Sequence, residues 1–420
     1  MKDDMHASLY ALIRNCFWAL PAPLRNRLHG VRHSLARWFR NRPRKAVQRS
    51  GDLYWPKFRD VVLHKTTYRA VIILEPSMDW EVLLFQRPHH MALALGRLGC
   101  LVIFKTTGDG VAGFRQVAVN VWIANDPAVS AIRDATRVFY STSLLADAED
   151  ILGARKQGRV IYEYIDHIDP SISGGKGSLK RLEHLKRAAF DGAADIIVSS
   201  AFALHREATA QCGEERCVLI PNGVDVRHYQ DARHLQVNLP QRLTAFREKH
   251  RCIVGYFGAI APWLWYEVME KVSALMPDVG FIFIGPDYSG CVPLLPQSGN
   301  TLYIGAVDYA VLPAYASLFD VCFIPFRPGD VAHSTSPLKL YEYFALEKPV
   351  VVTADMNECI AFQEVFAGSD AVELVDAIDR AFAVCNNKAY QARLRALADA
   401  NDWSVRATAY LTKLDRQDVK

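Results

Sequence analysis

The 420-residue sequence contains no run of about 18 apolar residues, the length that a membrane-spanning helix requires. Its nine cysteines are scattered, and the closest pair, Cys212 and Cys217, lacks the spacing and the nearby histidines of a zinc site. The start of the chain is acidic, where a secretory signal would be basic. These absences predict a cytoplasmic protein that is neither exported nor integral to a membrane.

Positive charge is concentrated at the start of the chain. Residues 1–50 carry eleven Lys and Arg against two Asp, a net charge of +9, so the rest of the +4 chain carries about −5. An acidic body excludes a nucleic-acid footprint. Between Leu24 and Trp38, apolar residues follow a 4-3-4-3 spacing with arginines between them, which predicts a basic amphipathic helix. Such a helix either lies in an anionic membrane interface, on the inner face of the cytoplasmic membrane, or packs on protein; both alternatives remain open.

The rest of the chain alternates short apolar runs with helical patterns, which predicts parallel sheets and crossover helices. The length allows two such cores. We therefore expect an α/β protein with two Rossmann-like doubly wound domains facing a cleft, with ligands bound at the carboxyl ends of the strands. The predicted segments are an N-terminal segment 1–50, a first domain 51–225, a linker 226–250, a second domain 251–390 and a C-terminal helix 391–420.

The most informative segment, His333–Pro349, follows a predicted strand that ends at residue 325. Ser336 is a good N-cap and Pro337 suits the first helical position, so a helix is predicted to begin there. Its free amides and positive dipole end can bind a diphosphate, to which Lys339 adds a full charge. Glu342, a turn later, can accept hydrogen bonds from a ribose diol. An ordinary capped crossover helix with solvated Lys339 and Glu342 is the structural alternative.

A set of motifs in this order resembles the GT-B glycosyltransferases of the family-4-like group (glycosyltransferase group 1) and exopolysaccharide glycosyltransferases. The motifs span about residues 70–415 and read as follows in this sequence: FQRPHH at 85–90, IYEYID at 161–166, IPNGVD at 220–225, VGYFG at 254–258, IFIGP at 282–286, LYIG at 302–305, SPLKLYEYFA at 336–345 and KPVV at 348–351. The resemblance implies a nucleotide-sugar donor bound mainly by the second domain. It assigns six residues to donor binding, namely Gly258, Tyr303, Ser336, Leu338, Lys339 and Glu342.

The sequence departs from the family pattern at two places. Ser334 stands where the family has the first of two glutamates, and the loop Ala259–Trp263 lacks the usual Arg and Lys. Charge neutralisation is therefore expected to rest on Lys339, with help from Arg327. The chain contains no Asp-x-Asp motif, and the helix end can replace a metal electrostatically, so we predict a reaction without metal or cofactor.

On the side of the first domain, Asp166 follows an apolar strand and is the predicted general base for an acceptor hydroxyl. A loop carboxylate or a helix N-cap is its structural alternative. His167 is adjacent, and Arg87, His89 and His90 open a helix predicted to face the same cleft. These four are candidates for contact with the acceptor or the donor phosphate, although His90 could simply cap or pack.

The sequence predicts transfer of a hexose-type sugar from a uridine-linked donor to a glycan or lipid-linked acceptor in cell-surface or exopolysaccharide biosynthesis. A dinucleotide-binding oxidoreductase is disfavoured, because Gly255-x-x-Gly258 lacks the third glycine of that fingerprint. A nucleotide-sugar epimerase of the same fold and a non-catalytic sugar-binding or scaffold protein remain as alternatives. The latter would not need Lys339, Glu342 and Asp166 together.

Overall fold

The computed structural model describes residues 52–64, 67–107, 111, 113–169, 176–232 and 237–416. The chain divides into residues 1–48 and a compact unit of residues 49–420. The predicted amphipathic helix between Leu24 and Trp38 lies outside the described residues. None of the helices in the described ranges is long and apolar enough to cross a membrane.

The first half of the compact unit is built on an eight-stranded sheet. Its strands are β1 Val71–Glu75, β2 Leu101–Lys105, β3 Phe114–Ala118, β4 Val121–Ala124, β5 Thr136–Tyr140, β6 Val160–Tyr164, β7 Ile196–Ser199 and β8 Cys217–Leu219. The spatial order is β3-β4-β2-β1-β5-β6-β7-β8. Every neighbouring pair is parallel except the β3–β4 pair, which is antiparallel. The sheet is therefore doubly wound about β1, with one antiparallel edge.

The second half carries a six-stranded, wholly parallel sheet. Its strands are β9 Cys252–Phe257, β10 Val279–Ile284, β11 Thr301–Gly305, β12 Val321–Ile324, β13 Val350–Thr353 and β14 Val365–Gly368. In the order β11-β10-β9-β12-β13-β14, the strand that comes first in the chain, β9, lies inside the sheet. Later strands are added on one side of β9 and then on the other, so this sheet is also doubly wound. The first half, or first sheet unit, and the second half, or second sheet unit, are thus both Rossmann-like, which confirms the predicted fold class.

Helices connect and cover the strands. In chain order the α-helices are α1 Trp55–Phe58, α2 Arg87–Arg97, α3 Ala148–Arg155, α4 Lys176–Ala188, α5 Phe202–Cys212, α6 Val226–Ala232, α7 Gln241–Glu248, α8 Tyr266–Leu275, α9 Leu312–Ala316, α10 Asp330–Ser334, α11 Leu338–Ala345, α12 Asn357–Ile360, α13 Ala371–Val384, α14 Lys388–Ala400 and α15 Trp403–Asp415. Short 3-10 or π turns lie at Arg59–Leu63, Pro127–Ala131, Ala189–Ala193 and Val292–Leu294.

Most strands of both sheets are buried along their whole length, as expected for parallel strands with continuous apolar runs. All six residues of β9 are buried. Gly255 in this strand allows Phe319 to pack directly on the backbone, because a Cβ atom at that position would lie 2.2 Å from the Phe319 ring. Close packing of this kind fixes the sheet on which the loop after β9 is built.

The last helix returns to the first half of the molecule. Asp402 caps α15 by accepting a hydrogen bond from the Ser404 backbone N–H. Trp403 and Tyr410 on its inner face are buried in the same apolar cluster as Met91 and Leu95 of α2. The apolar face of this helix therefore packs on the first sheet unit.

Three parts of the organisation differ from the sequence-based expectation. The predicted linker 226–250 contains two helices, α6 and α7, and the predicted single helix 391–420 is divided between α14 and α15. The β3–β4 hairpin was not predicted, because β3 has only two buried residues and no long apolar run. The parallel strands follow the sequence well, since their continuous burial leaves a clear pattern.

Candidate active site

Helix α11 begins at the edge of the second sheet, after the loop that follows β12. Its N-cap is Pro337, and no side chain caps it, so the predicted N-cap role of Ser336 is wrong and the helix starts one residue later. The Ser336 hydroxyl instead accepts a hydrogen bond from the Asn222 backbone N–H at 3.3 Å and lies 3.3 Å from the Tyr341 hydroxyl. An N-terminal turn without a side-chain cap favours an anion at this end of the helix.

Lys339 lies in the first turn of α11 and is half-buried. Its Nζ atom is 5.2 Å from the ring centroid of Phe326 and 5.5 Å from that of Tyr256. Burial lowers the pKa of this ammonium to about 8, whereas the nearby Glu342 and Asp166 carboxyls act in the opposite direction. A desolvated cation of this kind gains from the arrival of a negative group.

Gly258, at the end of β9, leaves room for that lysine. Its φ is 141°, and a Cβ atom at this position would lie 2.8 Å from the Lys339 Cε atom. The Gly258 backbone is also packed against Gly285, whose own Cβ would lie 1.8 Å from the Gly258 carbonyl oxygen. The structure therefore brings Gly258 and Lys339 together, as a shared donor site requires.

Glu342 lies one turn further along α11 and is 7% exposed. Burial raises the pKa of its carboxyl to about 7, and Tyr229 and Lys339 oppose that rise. The Tyr229 hydroxyl, on α6, lies beside this carboxyl, although the two groups fall short of full hydrogen-bond geometry. Glu342 is thus a buried carboxyl one turn after Lys339 on the same helix, and it can accept hydrogen bonds.

Asp166 stands in the loop after β6 of the first sheet and is half-buried. Its backbone N–H donates to the Ser141 hydroxyl at 3.2 Å, which fixes the loop. Burial raises the pKa of the Asp166 carboxyl from 3.8 to about 7, while the charges of Arg87 and Lys339 lower it. Because Asp166 and Lys339 influence each other, the two halves of the molecule bring a carboxyl and an ammonium into one electrostatic site.

Arg87 opens α2 and is 2% exposed. Its Nε donates to Glu163 at 2.8 Å, and its Nη1 donates to the Pro221 carbonyl at 3.1 Å and to the Asn222 side chain at 3.2 Å. Protein acceptors hold two of its nitrogens, whereas its Nη2 is buried without a hydrogen-bond partner among the described residues, so the predicted contact with a ligand stays a prediction. Its charge still reaches Asp166 and lowers the pKa of that carboxyl.

The rings of His89 and His90 are buried among protein side chains, which corrects their prediction as ligand contacts and favours the alternative that His90 packs. The His89 ring is fully buried and bonds to the Asp79 carbonyl and the Gln86 N–H through its two nitrogens. Burial lowers its pKa to about 4, so the ring is neutral. His90 is stacked on Trp403, with ring centroids 5.1 Å apart and an interplanar angle of 8°. The two histidines are packing residues.

The other predicted residues have mixed positions. His167 is half-buried beside Asp166. Tyr303 donates from its hydroxyl to the Gly285 carbonyl at 2.8 Å, so it supports the loop that packs on Gly258. Leu338 packs against the apolar cluster of the first sheet unit and so links the start of α11 to it. Donor or acceptor contacts at these three positions stay predictions.

The structure also tests the expectations for Arg327 and Ser334. Arg327 forms an exposed pair with Glu267, with both carboxylate oxygens 2.9 Å from its Nη2, which corrects the expectation that it assists Lys339. The Ser334 hydroxyl donates to the Asp330 carbonyl within α10 at 2.6 Å. Ser334 therefore supplies no carboxylate at the position where the family pattern has one.

Sequence reasoning missed Asn222 and Tyr229. Asn222 bonds to Ser336 across the two halves, and Tyr229 lies against Glu342. The IPNGVD motif gave a signal for Asn222, but only as a boundary between domains. Among the described residues, no group of three or more His, Cys, Asp or Glu side chains is placed to hold a metal ion.

Comparisons of sequence and of structure find proteins that are similar to this chain. No protein-family model matches the chain. It is 26% identical over 260 residues to TuaH of Bacillus subtilis (strain 168), which bears the name of a teichuronic acid biosynthesis glycosyltransferase. The match covers 59% of this chain and 64% of TuaH, so the chain spans less than two thirds of that relative.

Solved structures of low sequence identity share the fold. Trehalose 6-phosphate synthase of Burkholderia multivorans has a TM-score of 0.62 at 13% identity, covering 84% of this chain and 99% of its own. Sucrose-phosphate synthase of Thermosynechococcus elongatus has a TM-score of 0.60 at 18% identity, covering 83% and 99%. HepE of Anabaena, in complex with UDP, has a TM-score of 0.54 at 15% identity, covering 83% and 100%. The chain therefore has the two-domain fold of the GT-B glycosyltransferases and is similar in sequence to a glycosyltransferase.

Proposed function

We propose that the chain is a glycosyltransferase that moves a hexose-type sugar from a UDP-sugar to a glycan or lipid-linked acceptor in cell-surface polysaccharide biosynthesis. The main observation in support is that Lys339 and Glu342 of the second sheet unit and Asp166 of the first lie near the uncapped start of α11. The name of TuaH and the UDP of the HepE complex support the reaction class and the nucleotide. A scaffold protein of this fold would not need one buried and two half-buried ionisable groups near the start of one helix.

The donor is proposed to bind with its diphosphate at the first turn of α11. Negative charge develops on the diphosphate as the bond from the anomeric carbon to its oxygen breaks. The helix end and the Lys339 ammonium stabilise that charge, and a partly desolvated site makes each contribution larger than it would be in water. We propose that these groups suffice and that the reaction is independent of metal. The Glu342 carboxyl is placed to accept hydrogen bonds from the ribose hydroxyls.

Asp166 is proposed to accept the proton of the acceptor hydroxyl while that oxygen bonds to the anomeric carbon. A general base works best when its pKa lies near the working pH, and the pKa of Asp166 is raised to about 7. The carboxyl is also on the sheet unit opposite to α11, where an acceptor entering the cleft would meet it. His167, the next residue, is proposed to contact the acceptor.

The acceptor proposal rests on the +9 charge of residues 1–50 as well as on the name of TuaH. Basic residues near an anionic membrane surface contribute about 1 kcal/mol each before screening. Several of them together could hold a cytoplasmic enzyme on the inner face of the membrane, where lipid-linked glycans are found. We propose this segment as a reversible peripheral anchor.

Calorimetric titration with UDP, ADP and GDP tests the donor site directly. We expect UDP to bind, and Lys339→Ala to weaken its binding about tenfold, as the loss of one charge-assisted contact in a cleft implies. A screen of UDP-sugars for UDP release then identifies the sugar. A chain that binds none of the three nucleotides and releases UDP from no UDP-sugar would contradict the proposed function.

A further inference from the structure

A chain of buried polar side chains crosses from the first sheet unit to the start of α11. Its members are Glu163 on β6, Arg87 on α2, Asn222 after β8, and Ser336 just before α11. They are 1%, 2%, 8% and 2% exposed. Buried polar groups of this kind are costly unless each finds partners, so their arrangement reflects a specific geometry.

On one side, the Asn222 side chain is tied to the first sheet. Arg87 donates from Nε to Glu163 at 2.8 Å and from Nη1 to the Asn222 Oδ1 at 3.2 Å. The same Nη1 donates to the Pro221 carbonyl at 3.1 Å, and Arg406 of α15 donates to the Asn222 carbonyl at 3.1 Å. Two arginines therefore hold this one residue in place.

On the other side, Asn222 holds the residue that precedes α11. Its Nδ2 donates to the Ser336 carbonyl at 2.6 Å, and its backbone N–H donates to the Ser336 hydroxyl at 3.3 Å. The amide orientation follows from its neighbours, since a guanidinium can only donate and a carbonyl can only accept. Only a side chain with an acceptor on one side and a donor on the other satisfies both.

We infer that Asn222 is a positioning residue that sets the first turn of α11, and with it Lys339, relative to Asp166. This inference rests on the proposed function. Ser336 is separated from Leu338 by Pro337 alone, so a shift at Ser336 moves the helix start directly. Because the sugar must be held between groups from both sheet units, a displacement of about 1 Å is enough to cost about 100-fold in rate.

The test compares Asn222→Ala and Asn222→Asp with Asn300→Ala. The aspartate keeps an acceptor for Arg87 but faces the Ser336 carbonyl with a second acceptor. Asn300 is a matched control: it is 7% exposed, and its Nδ2 donates to three backbone carbonyls of the second sheet unit, far in the chain from α11. UDP affinity is measured by calorimetry, and kcat by UDP release from UDP-glucose or whichever UDP-sugar the wild-type chain uses.

We expect both Asn222 variants to lose at least about tenfold in kcat, with UDP affinity within about threefold of wild type. The backbone amides of Ser336 and of residues 338–342 should exchange hydrogen faster in both variants. Asn300→Ala should lower thermal stability but keep the wild-type kcat and the wild-type exchange in that segment.

Wild-type kcat in folded Asn222→Ala and Asn222→Asp would overturn the inference. So would a fall in UDP affinity as large as the fall in kcat, because the residue would then belong to the donor site itself. If Asn222→Ala does not fold, Asn222→Asp and Ser336→Ala, which removes only the hydroxyl partner, decide between the same outcomes. Failure of the wild-type chain to bind UDP or release it from any UDP-sugar would instead overturn the proposed function.

Discussion

Replacing Asp166 by asparagine should stabilise the protein at alkaline pH while it slows transfer. Burial raises the pKa of the Asp166 carboxyl from 3.8 to about 7. One pKa unit corresponds to about 1.4 kcal/mol, so keeping this carboxyl ionised costs the folded state up to about 4 kcal/mol. The asparagine has nearly the same shape and carries no charge, so it avoids that cost.

The sign of the pH dependence follows from which state binds the proton. Below about pH 4 the carboxyl is protonated in the folded and the unfolded chain, and the two proteins should differ little in unfolding free energy. As the pH rises from about 4 to about 7, the unfolded chain loses its proton while the folded one keeps it, and the cost develops. Above about pH 7 the full cost is present, so the advantage of Asp166→Asn should be greatest there.

Urea denaturation of both proteins at about pH 4, 6 and 8 measures this difference. Asp195→Asn is the control, because Asp195 precedes β7, at the amino ends of the strands, whereas Asp166 follows the neighbouring parallel strand β6 at its carboxyl end. Asp195 accepts a hydrogen bond from the Val160 N–H and pairs with Arg155. Loss of those contacts should bring no gain in stability at alkaline pH. Equal effects of pH on wild type and Asp166→Asn would refute the burial argument.

Transfer supplies the second arm of the same prediction. Asp166→Asn should bind UDP with wild-type affinity, because the residue acts on the acceptor proton and lies opposite to α11. Its kcat should fall about 100-fold or more, the usual size of a general-base contribution. The wild-type kcat/KM should rise with pH through about 7, as the carboxyl ionises, and the variant should lack that limb. Transfer at the wild-type rate would make Asp166 a structural carboxyl.

Four further predictions concern the donor site, one surface ion pair and the basic segment 1–50. Glu342→Ala and Lys339→Ala should each weaken UDP binding about tenfold by calorimetry without loss of thermal stability; unchanged affinity in both would remove the donor-site assignment. Gly258→Ala should also raise the Kd for UDP, because the new Cβ displaces the Lys339 side chain. Arg327→Ala should leave Kd and kcat unchanged, since Arg327 pairs with a surface glutamate; a tenfold loss would reverse that correction. Deleting residues 1–50 should abolish co-sedimentation with anionic vesicles at low salt, and binding of the full chain should weaken as the salt concentration rises. If both proteins stay in the supernatant at low salt, the alternative that residues 1–50 pack on protein is favoured.

The fold could be predicted from the sequence because parallel strands leave a strong local pattern. Strand β9, Cys252–Phe257, is one such strand, and all six of its residues are buried. The hairpin strand Phe114–Ala118 was missed because one residue in it is exposed, two are half-buried and its apolar run is short. Because most strands are buried on both faces, their apolar runs can be recognised in the sequence.

Helical geometry predicts the pair in α11 directly, whereas Asp166 was predicted from its position after a strand and Gly258 from the resemblance. Lys339 and Glu342 are three positions apart, so helical geometry alone places them together. The histidines failed for the opposite reason. Sequence spacing put His89 and His90 at a helix start near the cleft, but Trp403, more than 300 residues away, stacks on His90 and encloses it. No local pattern contains that contact.

Asn222 shows why the arrangement of the two halves escapes sequence reasoning even when the motif is seen. The IPNGVD motif reads as a turn after a strand, and an asparagine in a turn needs no long-range explanation. Its partners, Arg87 and Ser336, lie 135 and 114 positions away. Those two bonds join the unit that carries Asp166 to the unit that carries Lys339. The ionisable groups of the cleft could be named from the sequence, but their separation depends on a residue whose role appears only when both halves are folded together.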